Sequence, residues 1–168
     1  MAIRNVLLEG DEILRKKSKP VVNFDNNLLT IMKDLEDTMI KYDGAGLAGP
    51  QVGILKRVFV FLHNDKIIWV INPEILEQSG QNKYLAEGCL SLPDKIGEVV
   101  RPQKIKVRYQ DIKGNFIEKT FSGFSAKAFC HEYDHLEGIL YIDRCDKVFN
   151  NYQEYSKYKK KKQKEENN

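Results

Sequence analysis

Cysteine is scarce in this chain. Three cysteines among 168 residues form an odd and sparse set, which argues against a disulfide framework and fits a reducing compartment. Long apolar runs are missing too. The amino terminus carries no sustained hydrophobic stretch, and nothing reaches the roughly 20 residues that a bilayer-spanning helix needs. Internal repeats are absent, and no linker-like composition interrupts the chain before Phe149. These absences exclude a disulfide-stapled scaffold, a membrane-spanning helix and a repeat array. What is present, 42% hydrophobic residues, suffices for one domain with a sizeable core.

The net charge is small, +3, but it is unevenly placed. Residues 157–168 hold six lysines against two glutamates, a local charge of +4 that leaves the body at −1. The run Lys159-Lys160-Lys161-Lys162 repels itself, and such a tail is ordinarily a solvated end. Tyr152, Tyr155 and Tyr158 can anchor a preceding helix. We therefore divide the chain into a main domain, 1–148, and a basic carboxy-terminal helix or tail, 149–168.

Within the domain, Leu28, Ile31, Met32, Leu35 and Met39 recur at steps of three or four, predicting an amphipathic helix from about Asn26 to Lys41. Strand-like runs follow at Arg57–Leu62, Ile67–Ile71, Glu98–Arg101, Ile105–Asp111 and Phe116–Phe121. Asn64-Asp65 and Lys113-Gly114-Asn115 supply hairpin turns. Strands joined by short turns, with few helices between, predict an α+β domain of antiparallel β-sheets packed around a central helix.

That helix carries His131-Glu132-Tyr133-Asp134-His135. Residues four apart lie on one helical face about 5 to 6 Å from each other, so both imidazoles can close on one metal ion. Glu132 can then reach a water at that ion. Ser122 or Ser125 can cap the helix start, and Gly138 sits where a terminating glycine belongs. The motif also recurs by chance as two polar surface histidines. Here, however, it uses two of only three histidines in the chain. An open catalytic site needs a third protein ligand. Glu137, Asp143, Cys145 and Asp146 lie downstream; upstream, Cys89 stands in Glu87-Gly88-Cys89-Leu90-Ser91, where it could equally be a small buried hydrophobe.

The stretch Gly44-Ala45-Gly46-Leu47-Ala48-Gly49-Pro50-Gln51 is glycine-rich but lacks the Lys-Ser/Thr ending of a phosphate loop. Glycines here allow an extended peptide to pair with the backbone around Gly44, Ala45, Gly46 and Leu47, a form of strand addition. A tight connection between elements is the plainer alternative. Ile54 and Leu47 lie near this stretch and Phe129 on the motif helix, all candidates for an apolar pocket, although most such residues are core.

Three blocks in order, GAGLAGPQ at Gly44–Gln51, EGCLS at Glu87–Ser91 and HEYDHLEG at His131–Gly138, resemble the peptide deformylases. These enzymes remove the N-terminal formyl group from new bacterial and organellar polypeptides. The Asp11–Leu14 segment, Arg101-Pro102 and Asp143-Arg144 extend the resemblance over roughly residues 3–148. The family usually has alanine where this chain has Gly49, and glutamine where it has Cys130. Gly49 is expected to loosen its loop, and Cys130 to alter a neighbour of the metal ligands.

The resemblance implies Cys89, His131 and His135 as ligands of one divalent ion per chain, ferrous iron physiologically, with zinc, nickel or cobalt as substitutes. The fourth position is left for water, whose pKa a metal brings toward about 7. The attacking group would then be a metal-bound hydroxide, with Glu132 accepting the water's proton and returning it to the departing amine. The family also implies the Gln51 side-chain amide and the Leu90 backbone N–H as donors to the oxyanion. The expected substrates are N-formylmethionyl peptides of nascent chains. The expected location is cytoplasmic, or organellar if a targeting segment was removed. The Lys-rich tail can make nonspecific contacts with ribosomal RNA. A metalloprotease and a non-catalytic metal-stabilised module remain as alternatives. The latter needs a fourth protein ligand that the sequence does not offer.

Overall fold

The computed structural model describes residues 2–83 and 86–167. Helix α1 spans Asn26–Lys41 and starts at Asp25, whose carboxylate accepts from the Leu28 N–H. Its apolar stripe is buried as the periodicity predicts. Asp34 and Thr38 on α1 are buried as well, because the amino-terminal segment crosses the helix there. Ala2 N donates to Asp34 Oδ1 at 2.8 Å, Arg4 Nε to Asp34 Oδ2 at 2.9 Å, and Arg4 N to Thr38 Oγ1 at 3.0 Å.

Strands β1 (Gly46–Ala48), β2 (Val58–His63) and β3 (Lys66–Ser79) follow. Then come β4 (Ala86–Cys89), β5 (Leu92–Glu98), β6 (Lys104–Gln110) and β7 (Phe116–Ser122). Helix α2 occupies Gly123–Leu136, β8 is Val148–Phe149, and α3 is Tyr152–Glu166. The strands form a five-stranded sheet ordered β1-β2-β3-β6-β7 and a three-stranded sheet ordered β4-β5-β8. All named pairs are antiparallel, so the α+β architecture is observed.

Asn64 and Asp65 both adopt left-handed backbone, at φ 48° and 65°, which is the twist a two-residue hairpin turn requires. Other expectations need correction. Strand β3 runs well past Ile71, through Pro73, because the chain bulges between Ile71 and Glu74 and the proline needs no ladder donor there. The strand expected at Glu98–Arg101 lies earlier, at Leu92–Glu98. Val99 is buried in a third apolar cluster, and Arg101 turns inward to carboxylates, so the residues after Glu98 leave the ladder.

Helix α2 lies against β1, β2, β6 and β7. Phe129 meets Phe59 and Phe61 edge-on at ring separations of 5.0 and 5.6 Å, a geometry aromatic quadrupoles favour. Ser122 occupies the cap position without a side-chain capping bond, whereas Ser125 is buried and bonded to His63 Nδ1 at 2.7 Å. The basic end is helical through its lysines. Tyr155 is buried and its hydroxyl donates to Glu98 Oε1 at 2.9 Å, while Tyr158 packs on Phe149 at 5.0 Å. Tyr155 and Tyr158 anchor α3, whereas Tyr152 is exposed and stacks on Tyr155 from outside, and the lysines face solvent.

Candidate active site

The interlocking aromatics and Ala126 of α2 hold the helix on the large sheet with its ligand face turned away from that core. Cys89 arrives from the other direction, at the end of β4, where the register with β5 shifts between Glu87 and Cys89. Candidate ligand atoms of Cys89, His131 and His135 all lie within 4.8 Å of one another. Cys89 Sγ stands 3.4 Å from His135 Nε2. The two imidazole centroids are 5.1 Å apart.

The downstream candidates for a third ligand lie outside this cluster, and Asp146 is exposed. Glu137 pairs with Arg57 and Lys17, Asp143 with Arg15, and Cys145 Sγ points to the Ile142 carbonyl.

Glu87 fixes the His131 ring, since its Oε1 lies 2.7 Å from His131 Nδ1. That leaves Nε2 of His131 for the side facing Cys89. Burial works against the Glu87 charge, but Arg101 and His131 hold its pKa at about 2. Burial also opposes a cationic His131, yet the charges of Glu132 and Cys89 and the Glu87 bond raise its pKa well above the ordinary imidazole value. His135, buried beside it, is pushed well below. A thiol, two buried imidazoles and the carboxylates of Glu87 and Glu132 thus share one buried pocket. One thiolate and two imidazole nitrogens with room for a fourth partner fit a catalytic divalent ion.

Glu132 is fully enclosed, and burial pushes its carboxyl up to about 7. Its Oε1 has no hydrogen-bond partner among the described residues. The carboxylate rests on the backbone of Gly46: a Cβ there would fall 2.4 Å from Glu132 Oε2.

Gln51 sits in the turn Gly49–Val52, and its orientation is decided locally. Its Oε1 accepts from Ala48 N at 3.0 Å, so the amide nitrogen must face inward, where it meets Ser91 Oγ at 3.1 Å and Cys89 Sγ at 3.5 Å. Leu90 follows Cys89 in the connection to β5 and lines the cavity.

The cavity measures about 860 Å³. Gly44, Ala45, Gly46, Gln51, Cys89, Leu90, His131 and Glu132 all border it, so the structure assembles residues from the sequence blocks around one space. Leu47 differs. Its side chain is completely buried between α1 and β2, so only its backbone belongs to the β1 edge. Phe129 is likewise core, and Ile54 packs on the cluster that holds Leu47.

Sequence reasoning passed over the apolar wall: Val6, Leu8, Tyr42, Phe124 and Ala128. Ala128 and Phe124 precede His131 by three and seven residues, a helical repeat that would have found them. Lys127, also in the wall, donates to the Ala86 carbonyl and lies 5.6 Å from the Phe124 ring centre.

A match to the polypeptide deformylase family model spans residues 3–151. The chain belongs to the polypeptide deformylase family. Among curated deformylases, that of Caldanaerobacter subterraneus subsp. tengcongensis is 48% identical over 144 residues, covering 86% of this chain and 90% of that protein. The Thermotoga petrophila deformylase is 49% identical over 135 residues, or 80% and 82% of the respective chains. The crystal structure of the Thermotoga maritima deformylase superposes with a TM-score of 0.85 at 44% identity, covering 88% of this chain and all of that one.

The two departures from the deformylase pattern take on physical meaning here. At Gly49 a Cβ would lie 2.7 Å from the Ile54 carbonyl oxygen, so glycine permits a close backbone approach. Cys130 is buried in the α2 core and borders a groove on the far side of that helix, outside the catalytic cavity, and burial pushes its thiol up to about 12. It lies close enough to Arg101, Asp134, Glu87 and Arg144 for their charges to act on it. Among the described residues, no helix is long and apolar enough to cross a membrane.

Proposed function

We propose that this chain removes the formyl group from N-formylmethionyl peptides, with Cys89, His131 and His135 holding one divalent ion. The observation that carries the reading is the convergence of those three ligand atoms with the enclosed Glu132 beside the free edge of β1. When bound, the ion supplies Lewis acidity toward water and the carbonyl oxygen. Thiolate and imidazole donors accept several transition ions. We assign ferrous iron, with zinc, nickel or cobalt as substitutes.

Each residue then has a chemical task. Glu132 takes the proton of the attacking water and returns it to the departing amine, a task that a carboxyl with a pKa of about 7 can perform in both directions. The Gln51 Nε2–H and Leu90 N–H donate to the carbonyl oxygen as it gains charge. Donors fixed before the reaction cost no reorganisation during it, which is why the Ala48 bond to Gln51 matters. Strand β1 is the edge of its sheet, so the backbone from Gly44 to Leu47 can pair with an extended peptide. The wall formed by Phe124, Ala128 and Leu90 receives the methionine side chain. A formyl carbon bears only hydrogen, so a narrow closed end admits it and rejects larger acyl groups.

Formate release tests this reading. Anaerobically iron-loaded protein should liberate formate from a formyl-Met peptide and leave the unformylated peptide intact. Cleavage of internal bonds in the unformylated peptide would instead assign a metalloprotease. A bound ion with neither reaction would indicate a metal-stabilised module.

We take residues 1–148 as the catalytic domain and 149–168 as a basic extension, a division supported by the family match ending at residue 151. Substrates of this kind arise where translation occurs, which favours the cytoplasm or an organelle interior. The exposed lysines of α3 suit nonspecific contact with ribosomal RNA. Deleting residues 157–168 should abolish salt-sensitive cosedimentation with ribosomes; equal binding by the truncated protein would eliminate this role.

A further inference from the structure

His131 stands at one end of a row of alternating charges that crosses the protein. Its Nδ1 meets Glu87 Oε1. Arg101 grips both oxygens of Glu87, from Nε to Oε2 at 2.7 Å and from Nη2 to Oε1 at 2.9 Å. The third nitrogen of the same guanidinium, Nη1, donates to Asp134 Oδ2 at 2.6 Å. Asp134 is held in turn by Arg144, from Nε to Oδ2 at 2.6 Å and from Nη2 to Oδ1 at 2.9 Å. Glu87, Arg101 and Asp134 are buried, whereas the Arg144 side chain is 44% exposed.

The row joins two separate spaces. Glu87 and His131 border the large cavity. Arg101, Asp134 and Arg144 border a groove of about 420 Å³ between β3 and α2, and no residue lines both.

We propose that Arg144, remote from the substrate cavity, is a positioning residue for the ligand His131, acting through Asp134, Arg101 and Glu87. The proposal rests on the metal-site reading above. His131 presents Nε2 to the ligand cluster only while Nδ1 is held by Glu87, and a partner of this kind commonly fixes both ring orientation and donor strength. Glu87 is in turn fixed by the planar fork of Arg101, which Lys could not reproduce. Arg101 has two anionic partners that compete for it. Arg144 shares the charge of Asp134, and so leaves Arg101 free to bind Glu87 with two parallel bonds. Without Arg144, the group of Glu87, Arg101 and Asp134 carries one uncompensated negative charge in a buried setting. Asp134 then draws Arg101 toward itself, and Glu87 and the His131 ring lose their fixed seat.

A role confined to folding is the competing account, because Arg144 also pins the segment after the turn Tyr141–Asp143 onto α2. Cobalt(II) separates the two. Its affinity is measured by competition with a chelator and its coordination by the visible spectrum, using the full chain as parent, Arg144→Gln, Arg144→Lys and Arg4→Gln. The last variant removes the Arg4–Asp34 pair under α1, which shares no residue with the row or with the ligand cluster.

Loss of a direct partner of a ligand typically weakens metal binding by about 10–100-fold. Acting further along the row, Arg144→Gln should weaken cobalt binding by less than a direct partner would, roughly 3–10-fold against that scale, and shift the ligand-field bands. Arg144→Lys should recover part of the loss, and Arg4→Gln should match the parent in both readouts. The proposal is overturned if Arg144→Gln melts at a lower temperature yet keeps the parent's affinity and spectrum. A parent protein that binds no cobalt would overturn the metal-site reading itself, and the proposal with it.

Discussion

Replacing Glu132 by glutamine is expected to lower formate release by about 10²–10⁴-fold, the usual contribution of a positioned acid–base group, while one metal ion per chain is retained. The expectation follows from what the substitution leaves alone. Glutamine preserves the size of the side chain in its enclosed seat and does not touch Cys89, His131 or His135. It removes only the oxygen that can accept and return a proton. Burial has already pushed this carboxyl up to about 7, so near neutral pH neither protonation state is far out of reach. Metal analysis beside single-turnover formate release decides the matter. Near-parental turnover, or a protein that no longer holds metal, would contradict the assignment.

Gly46→Ala should cost about 10²-fold in kcat, the loss that an ångström of misplacement can cause. A methyl group at this position would fall 2.4 Å from Glu132 Oε2, 2.8 Å from its Cδ and 2.9 Å from its Cγ. All three contacts belong to the reacting carboxylate or its stem, so the carboxylate must move. The strand cannot yield instead, because Gly46 is paired with Phe61 across the ladder. Forced overpacking should also lower stability by about 1–3 kcal/mol. Gly44→Ala is the instructive comparison. There the nearest atom is Leu90 Cδ1, at 2.9 Å, the end of a side chain that can rotate, and the loss should be much smaller. Metal content should be unchanged in both variants. Equal kcat values for the two would remove the proposed contact between Gly46 and the base.

The elements most legible in the sequence are those whose signals are local. Helix α1 declared itself through five apolar residues on one stripe, and its bounds are those observed. Asn64-Asp65 announced the first hairpin because both residues tolerate the left-handed backbone the turn demands. Strand β3 extends beyond its apolar run because a bulge between Ile71 and Glu74 makes Pro73 acceptable within it, a feature with no local signal. Strands β1 and β8 are three and two residues long, too short to show any periodicity.

For the site, His131, Glu132 and His135 were placed by one helical turn, a spacing that physics converts directly into a shared face. The family resemblance supplied Cys89 and Gln51. The inward aim of the Gln51 amide was not available in advance, since it depends on the Ala48 N–H. Nor was the wall of Val6, Leu8 and Tyr42, whose residues come from separate parts of the chain.

By itself, then, the sequence determined the class of fold, the helix that bears two imidazoles and a carboxylate, and the family to which the chain belongs. Tertiary structure alone decided how the Gln51 amide is aimed, where Glu132 rests, and how Arg144 connects to His131. The reason is the range of the interactions. Helical periodicity, caps and turns act within a few residues and leave a pattern in the order of amino acids. The bond between Glu87 and His131 spans 44 positions. It exists only because two sheets and a helix, each packed for its own apolar face, bring those side chains to the same buried place.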